Sequence, residues 1–231
     1  MAVAGAAALA LGGLAPTARA ADEAPVPAAG ARPAALCRIQ IGGHIRAGET
    51  GILPPGHPDA SEASGGALAA FGFQFLAGSR THWGLDVEFE GNQADIGEQT
   101  FGVATVRTLG TFELPLVTPG PGARAVPYGY VDAGWNFNRV GTKVTYVYGG
   151  APTGTALGLE LDDSPAVRAG LGLDYAHSAG LAFTLDVGWK WNRAGYVLTF
   201  SGEPDRTGNA DLGGISLLGG IKLMFPGPTN S

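Results

Sequence analysis

The 231-residue chain predicts an all-β fold, an eight-stranded antiparallel up-and-down transmembrane β-barrel of the outer-membrane type. Eight segments alternate apolar and polar residues with period two. The connections between them alternate long and short, and aromatic residues gather toward both strand ends. A lipocalin-like soluble barrel would show the same alternation with its apolar face inward, so the strand pattern by itself leaves both readings open.

The first strand is expected over residues 37–47, with Ile39, Ile41 and Ile45 opposite Arg38, Gln40, His44 and Arg46. The second, 68–77, places Phe71, Phe73 and Phe75 against Gly72 and Gln74. The third, 82–90, sets Trp83, Leu85, Val87 and Phe89 against His82, Asp86, Glu88 and Glu90. The fourth, 106–116, is weaker: Phe112, Leu114 and Leu116 face away from Arg107, Thr111 and Glu113, and Pro115 marks its end. The fifth, 127–138, opposes Val131, Ala133, Trp135 and Phe137 to Tyr128, Tyr130, Asp132, Asn136 and Asn138. The sixth, 166–176, opposes Val167, Leu171, Leu173 and Tyr175 to Arg168, Gly170, Gly172 and Asp174. The seventh, 181–192, alternates without error, with Leu181, Phe183, Leu185, Val187, Trp189 and Trp191 on one face and Thr184, Asp186, Lys190 and Asn192 on the other. It exceeds the 9 to 11 or so residues that a tilted strand needs to cross a bilayer. The eighth, 213–225, sets Ile215, Leu217, Ile221, Leu223 and Phe225 against Ser216, Leu218, Lys222 and Met224.

Connections after the second, fourth and sixth strands are short (78–81, 117–126, 177–180). Those after the first, third, fifth and seventh are long (48–67, 91–105, 139–165, 193–212). That order is expected of a barrel with short periplasmic turns and long external loops. Trp83, Tyr175 and Phe225 fall toward the short-turn rim, and Trp135, Trp189 and Trp191, with Phe71 and Phe89, toward the other, as two lipid-interface girdles would. Opposite the apolar stripes lie Arg38, Arg46, Asp86, Glu88, Glu90, Arg107, Glu113, Asp132, Arg168, Asp174, Asp186, Lys190 and Lys222. With lipid outside, these charges share a narrow lumen and are expected to pair; in a soluble barrel they would be solvated surface.

The remaining segments are read as a signal peptide over 1–20, with an apolar run and the small pair Ala18 and Ala20 before the cut; a flexible Ala/Pro-rich lead-in over 21–35; the barrel over 36–225; and a short tail over 226–231. No later segment is apolar for long enough to form a membrane-spanning helix. Charged residues make up 15% of the chain at a net charge of -6, without a basic patch interleaved with aromatics, which argues against nucleic-acid binding. The single cysteine, Cys37, has no internal disulfide partner.

The stretch Pro127-Tyr-Gly-Tyr-Val-Asp-Ala-Gly134 resembles the P-Y-x-G-A-G strand of OmpW-like outer-membrane proteins. Asp163-Ser164, leading into Gly170-Leu-Gly-Leu-Asp-Tyr175, is similar to their following strand, and so is a last strand ending in Phe225. The resemblance is clearest over 109–225. It departs at Pro165, where the family has Trp, and at the six residues after Phe225. It implies an eight-stranded barrel in the cell outer membrane that passes small hydrophobic molecules, without a cofactor or catalytic residues. The implied partners are outer-membrane lipid and lipopolysaccharide, the barrel-assembly machinery that reads the terminal Phe, and the solutes themselves.

Some outer-membrane barrels are lipid-modifying enzymes with a serine, a histidine and an acid. Here adjacent His177 and Ser178 read as a turn pair, and His44 and His82 read as polar lumen residues. Glu160, Asp162 and Asp163 are an acidic loop cluster that could hold a divalent cation but is more simply a solvated loop. Gly170-Leu-Gly172 begins like a dinucleotide fingerprint, yet Tyr175 occupies the third glycine's place. No catalytic, cofactor-binding or metal-binding residue is therefore expected. The functional expectation is a passive channel or conduit for small hydrophobic solutes. The alternatives are a structural or surface-interaction barrel without transport and, third, a lipid-modifying enzyme.

Overall fold

The computed structural model describes residues 33–46, 64–77, 81–96, 99–118, 123–145, 156–178, 180–200 and 204–226. The expected signal peptide, nearly all of the lead-in, residues 48–63 of the first long connection and the tail from 227 on lie outside these residues, while 64–67 of that connection belong to a strand.

Ten strands are formed: β1 Pro33–Arg46, β2 Ser64–Ala77, β3 Thr81–Ile96, β4 Gln99–Pro115, β5 Ala125–Thr145, β6 Ala156–Leu161, β7 Ser164–Ser178, β8 Leu181–Phe200, β9 Arg206–Asp211 and β10 Gly214–Pro226. Eight of them close an antiparallel barrel in the order β1-β2-β3-β4-β5-β7-β8-β10, with β10 returning to β1. Following paired residues around the wall, Phe225 leads through Ala35, Phe75, Trp83, Phe112, Val131, Ala169 and Trp189 to Ile215. The circuit thus re-enters β10 ten residues from its start. Eight strands with that shear tilt by about 41° and give a backbone radius of about 8 Å, from a rise of about 3.3 Å per residue and a strand spacing of about 4.8 Å.

Side-chain parity settles the direction of the sheet. Leu185 is 52% exposed and Trp189 57%, whereas Arg38, Arg107 and Arg168, on the opposite parity, are 0% exposed. The apolar stripes face outward and the charged stripes inward, as a bilayer demands and as a soluble barrel forbids. Every girdle aromatic expected from the sequence (Trp83, Trp135, Tyr175, Trp189, Trp191, Phe225) points outward.

The strands are longer than the sequence pattern suggested, and most of the excess lies at one rim. Residues 91–96 and 99–105, expected as a loop, continue β3 and β4, which stay paired out to Ile96 and Gln99. Residues 139–145 extend β5, while 156–161 and 206–211 form β6 and β9, which flank the upper half of β8. β1 begins at Pro33, inside the expected lead-in, and β10 runs through Pro226, past the expected barrel end. The outward face of β8 changes from Trp191 to exposed Arg193, and that of β5 from Phe137 to exposed Arg139, so the extensions rise above the apolar belt.

The belt supplies a direct test. Leu185→Arg places an outward charge within it and should cost about 2–4 kcal/mol, whereas Asn209→Arg on exposed β9 should be near neutral. Reversible unfolding from lipid vesicles would measure both, and equal effects would contradict the outward assignment.

Candidate functional site

The interior of the barrel is layered from the short-turn rim upward. β4, β5, β7 and β10 bring together the lowest group. Lys222 Nζ donates to Glu113 Oε1 at 2.8 Å and to Asp174 Oδ2 at 2.9 Å, and it lies 3.9 Å from the centre of the Tyr128 ring. The Tyr128 hydroxyl donates to Asp186, which also accepts from Gln40 Nε2 at 2.6 Å.

A continuous ion-pair network fills the middle. Arg107 donates to Glu88 Oε2 at 2.6 Å, Glu90 Oε2 at 3.3 Å and Asn136 Oδ1 at 2.6 Å. Arg168 holds Asp132 Oδ2 at 2.5 Å, pairs with Glu88 and lies 3.5 Å from Asp86 Oδ2. Its guanidinium sits 5.0 Å above the Tyr130 ring. Arg38 pairs with Asp86, and Lys190 with Glu90, whose other oxygen lies 3.6 Å from His44 Nδ1. Arg107–Glu88 and Arg168–Asp132 join neighbours across a ladder, whereas Arg168–Glu88 and Lys190–Glu90 span the lumen between strands distant around the wall and act as cross-braces. Arg46 is buried on the same inner face. All the expected lumen charges therefore point inward, and all but Asp174 are nearly fully enclosed.

Local backbone explains how the rings fit. A Cβ on Gly170 or Gly188 would collide with the Tyr130 hydroxyl, and one on Gly172 with the Tyr128 ring. The Gly170-x-Gly172 spacing thus makes room for two lumen tyrosines.

Above the charges lies a layer of neutral polar groups, of which Asn136, Asn138 and Asn192 stand on the polar faces expected from the sequence, while Thr105 and Ser164 come from segments expected as loops. Thr105 Oγ1 donates to Asn138 Oδ1 at 2.8 Å, as does Asn192 Nδ2 at 3.1 Å. Ser164 Oγ donates to Asn192 Oδ1 at 2.8 Å, and Asn136 Nδ2 to Ser164 Oγ at 3.2 Å. Higher still the interior becomes apolar, where Phe101, Val103, Leu159, Ala194, Tyr196, Leu198, Ala210 and Leu212 form one buried cluster between β4 and the β6–β8–β9 sheet.

The wall changes at the same height. The β5–β7 ladder stops at Asn136 opposite Ser164, and β6 turns from β5 to pair with β8 alone. Across the resulting seam, side chains replace the ladder. Asn138 N donates to Asp163 Oδ1 at 3.0 Å, Asn138 Nδ2 to the Asp162 carbonyl at 2.9 Å, and Arg139 Nη1 to Asp163 Oδ1 at 2.7 Å. The hydrogen bond from Arg139 holds the Asp163 carboxyl below the usual carboxylate range. Of the expected acidic loop cluster, Asp163 is thus a seam residue, and Glu160 is exposed on β6. Among the described residues no three His, Cys, Asp or Glu side chains converge as a metal site. His177 and Ser178 are exposed at the end of β7, the His177 ring 5.8 Å from that of Phe183.

A closed eight-stranded barrel with an apolar outer belt and a charged lumen is an outer-membrane β-barrel, and the chain belongs in the cell outer membrane. Solved structures carry the same fold. The crystal structure of the outer membrane protein OprG from Pseudomonas aeruginosa aligns over 84% of this chain and 98% of its own, at 14% identity and a TM-score of 0.57. The solid-state NMR structure of the outer membrane protein AlkL in lipid bilayers aligns over 91% of this chain and 99% of its own, at 13% identity and a TM-score of 0.52. Both share the OmpW-like fold that the sequence resembles. No family model and no curated protein matches the sequence.

The network makes its own prediction. Arg168→Met leaves Asp132, Glu88 and Asp86 short of a buried partner and should destabilise the barrel by about 3–5 kcal/mol, seen as a lower temperature for loss of the compact band on unheated gels. A wild-type midpoint would show that the network is not needed for stability.

Proposed function

We propose that the barrel is a conduit for small hydrophobic solutes that takes them in at the tall rim and releases them sideways through its wall. One observation carries this reading. The interior switches from apolar to charged at the height where the β5–β7 ladder ends, beside Asn136, Asn138 and Ser164. An apolar molecule moving down from Phe101, Leu159 and Leu198 gains nothing from entering the ion pairs below, where desolvating a charge is costly. Among the described residues, each hydrogen bond across the seam beside it runs through a side chain on at least one side.

The test joins the two sides of the seam. In a Cys37→Ser background, Arg139→Cys with Asp163→Cys bridged by a short bis-maleimide should stop accumulation of a labelled small aromatic hydrocarbon by cells carrying the barrel. Each single mutant treated with the same reagent should keep it. Uptake that survives the bridge would rule out this route, and a folded wild type that never speeds uptake would favour the structural barrel, the reading supported by the filled lumen.

The tall rim is proposed to face the cell exterior, in line with the strict order of long and short connections. A cysteine at Asn209 should then react with an impermeant maleimide on intact cells. One at Ser178 should react after the outer membrane is permeabilised, and the reverse order would invert the orientation.

A further inference from the structure

At the short-turn rim, on the far side of the ion-pair network from the seam, lies a half-open cavity of about 130 Å³. Leu36, Pro115, Val126, Ala176, Ala182 and Met224 make it an apolar sleeve, and Tyr128, Glu113, Asp174 and Lys222 line it as well. At about 30 Å³ per liquid water, it has room for about four waters.

The charges on this cavity do not close. Lys222 is shared by Glu113 Oε1 and Asp174 Oδ2, so one ammonium serves two carboxylates. The Asp174 carboxyl also takes a hydrogen bond from Thr184, its neighbour across the β7–β8 ladder, but Glu113 Oε2 and Asp174 Oδ1 are buried without a hydrogen-bond partner, and the Glu113 side chain is only 5% exposed. Arg38 pairs with Asp86 through Nη2, while its Nη1, buried without a hydrogen-bond partner of its own, stands 3.8 Å from Glu113 Oε2, beyond hydrogen-bond distance. His82, which has an interaction of its own, also lines the cavity from the position opposite Glu113 on β3, and Arg124 lies exposed at its edge. Two acceptor oxygens in an apolar sleeve call for a compact donor of positive charge with an apolar body.

We infer that this cavity binds a primary alkylammonium of about three or four carbons, its ammonium donating to Glu113 Oε2 and Asp174 Oδ1 and its chain lying among Leu36, Val126 and Met224. A primary ammonium has three N–H donors. A quaternary ammonium has none and an alcohol lacks the charge, so neither fits the same site. The site is separate from the conduit reading and does not depend on it.

The chain has two methionines, Met1 and Met224, so a methyl-labelled methionine signal from Met224 reports on the cavity directly. Titrating the refolded barrel in detergent micelles with propylammonium chloride should move that signal saturably, while n-propanol and tetramethylammonium chloride leave it nearly in place. Glu113→Gln or Asp174→Asn should weaken the propylammonium response about tenfold or more, the loss expected when a hydrogen bond to a charged group is removed. An equal response to n-propanol would reduce the site to apolar filling and overturn the proposal. So would a folded barrel whose Met224 signal does not saturate with propylammonium, or folded variants that bind as the wild type does. Where a variant fails to fold, the comparison of the three ligands on the unaltered barrel decides.

Discussion

Closure of the hydrogen-bond ladder is the constraint on which the rest of this barrel depends. In hydrocarbon an unpaired backbone group costs several kcal/mol, so the eight belt strands must pair on both edges. With eight strands and a shear of ten, the wall lies about 8 Å from the axis. Side chains from facing strands then meet across the lumen. Arg168 on β7 reaches Glu88 on β3, and Lys222 on β10 reaches Glu113 on β4. Once such charges are out of water, each must find a partner at that distance, and the near balance of signs in the lumen follows.

Above the belt the constraint relaxes, and the chain changes character. Water satisfies a free strand edge there, so the wall need not close, and it parts between β5 and β6. The same boundary inverts the polarity of β8. Its inward positions run Asp186, Lys190, Asn192 and then Ala194, Tyr196, Leu198, while its outward positions run Val187, Trp189, Trp191 and then Arg193. One uninterrupted strand is thus a membrane strand below and the strand of a water-soluble sheet above.

This inversion explains what could and could not be read from the sequence. Within the belt, alternation gave the strand identities and their facing, because lipid fixes one parity as apolar. Past Trp191 the alternation continues with its phase reversed, and a search for one apolar face takes the reversal as the end of a strand. Hence 193–200 and 206–211 read as loop, and the apolar cluster of Leu198, Leu212 and Phe101 escaped notice. Arg193 directly after Trp191 was the available signal. The neutral layer at Asn138, Ser164 and Asn192 was harder to anticipate, since it joins residues from three strands whose register depends on the shear. The lumen charges were legible as a set, but which carboxylate each arginine takes is likewise a consequence of that shear.

The two constraints together leave few places where anything can cross or bind. Within the belt the ladder seals the wall, and the network from Arg38 to Lys190 seals the axis. Both seals loosen at the upper edge of the belt, where the charges give way to amides and the β5–β7 ladder ends. At the lower rim the wall stays closed, but the lumen widens into the cavity beside Met224. The network between them is several side chains thick and anchored on β1, β3, β4, β5, β7 and β8. An apolar molecule at the seam and a cation at the lower rim are therefore insulated from each other, and whatever each end recognises must be decided by its own residues.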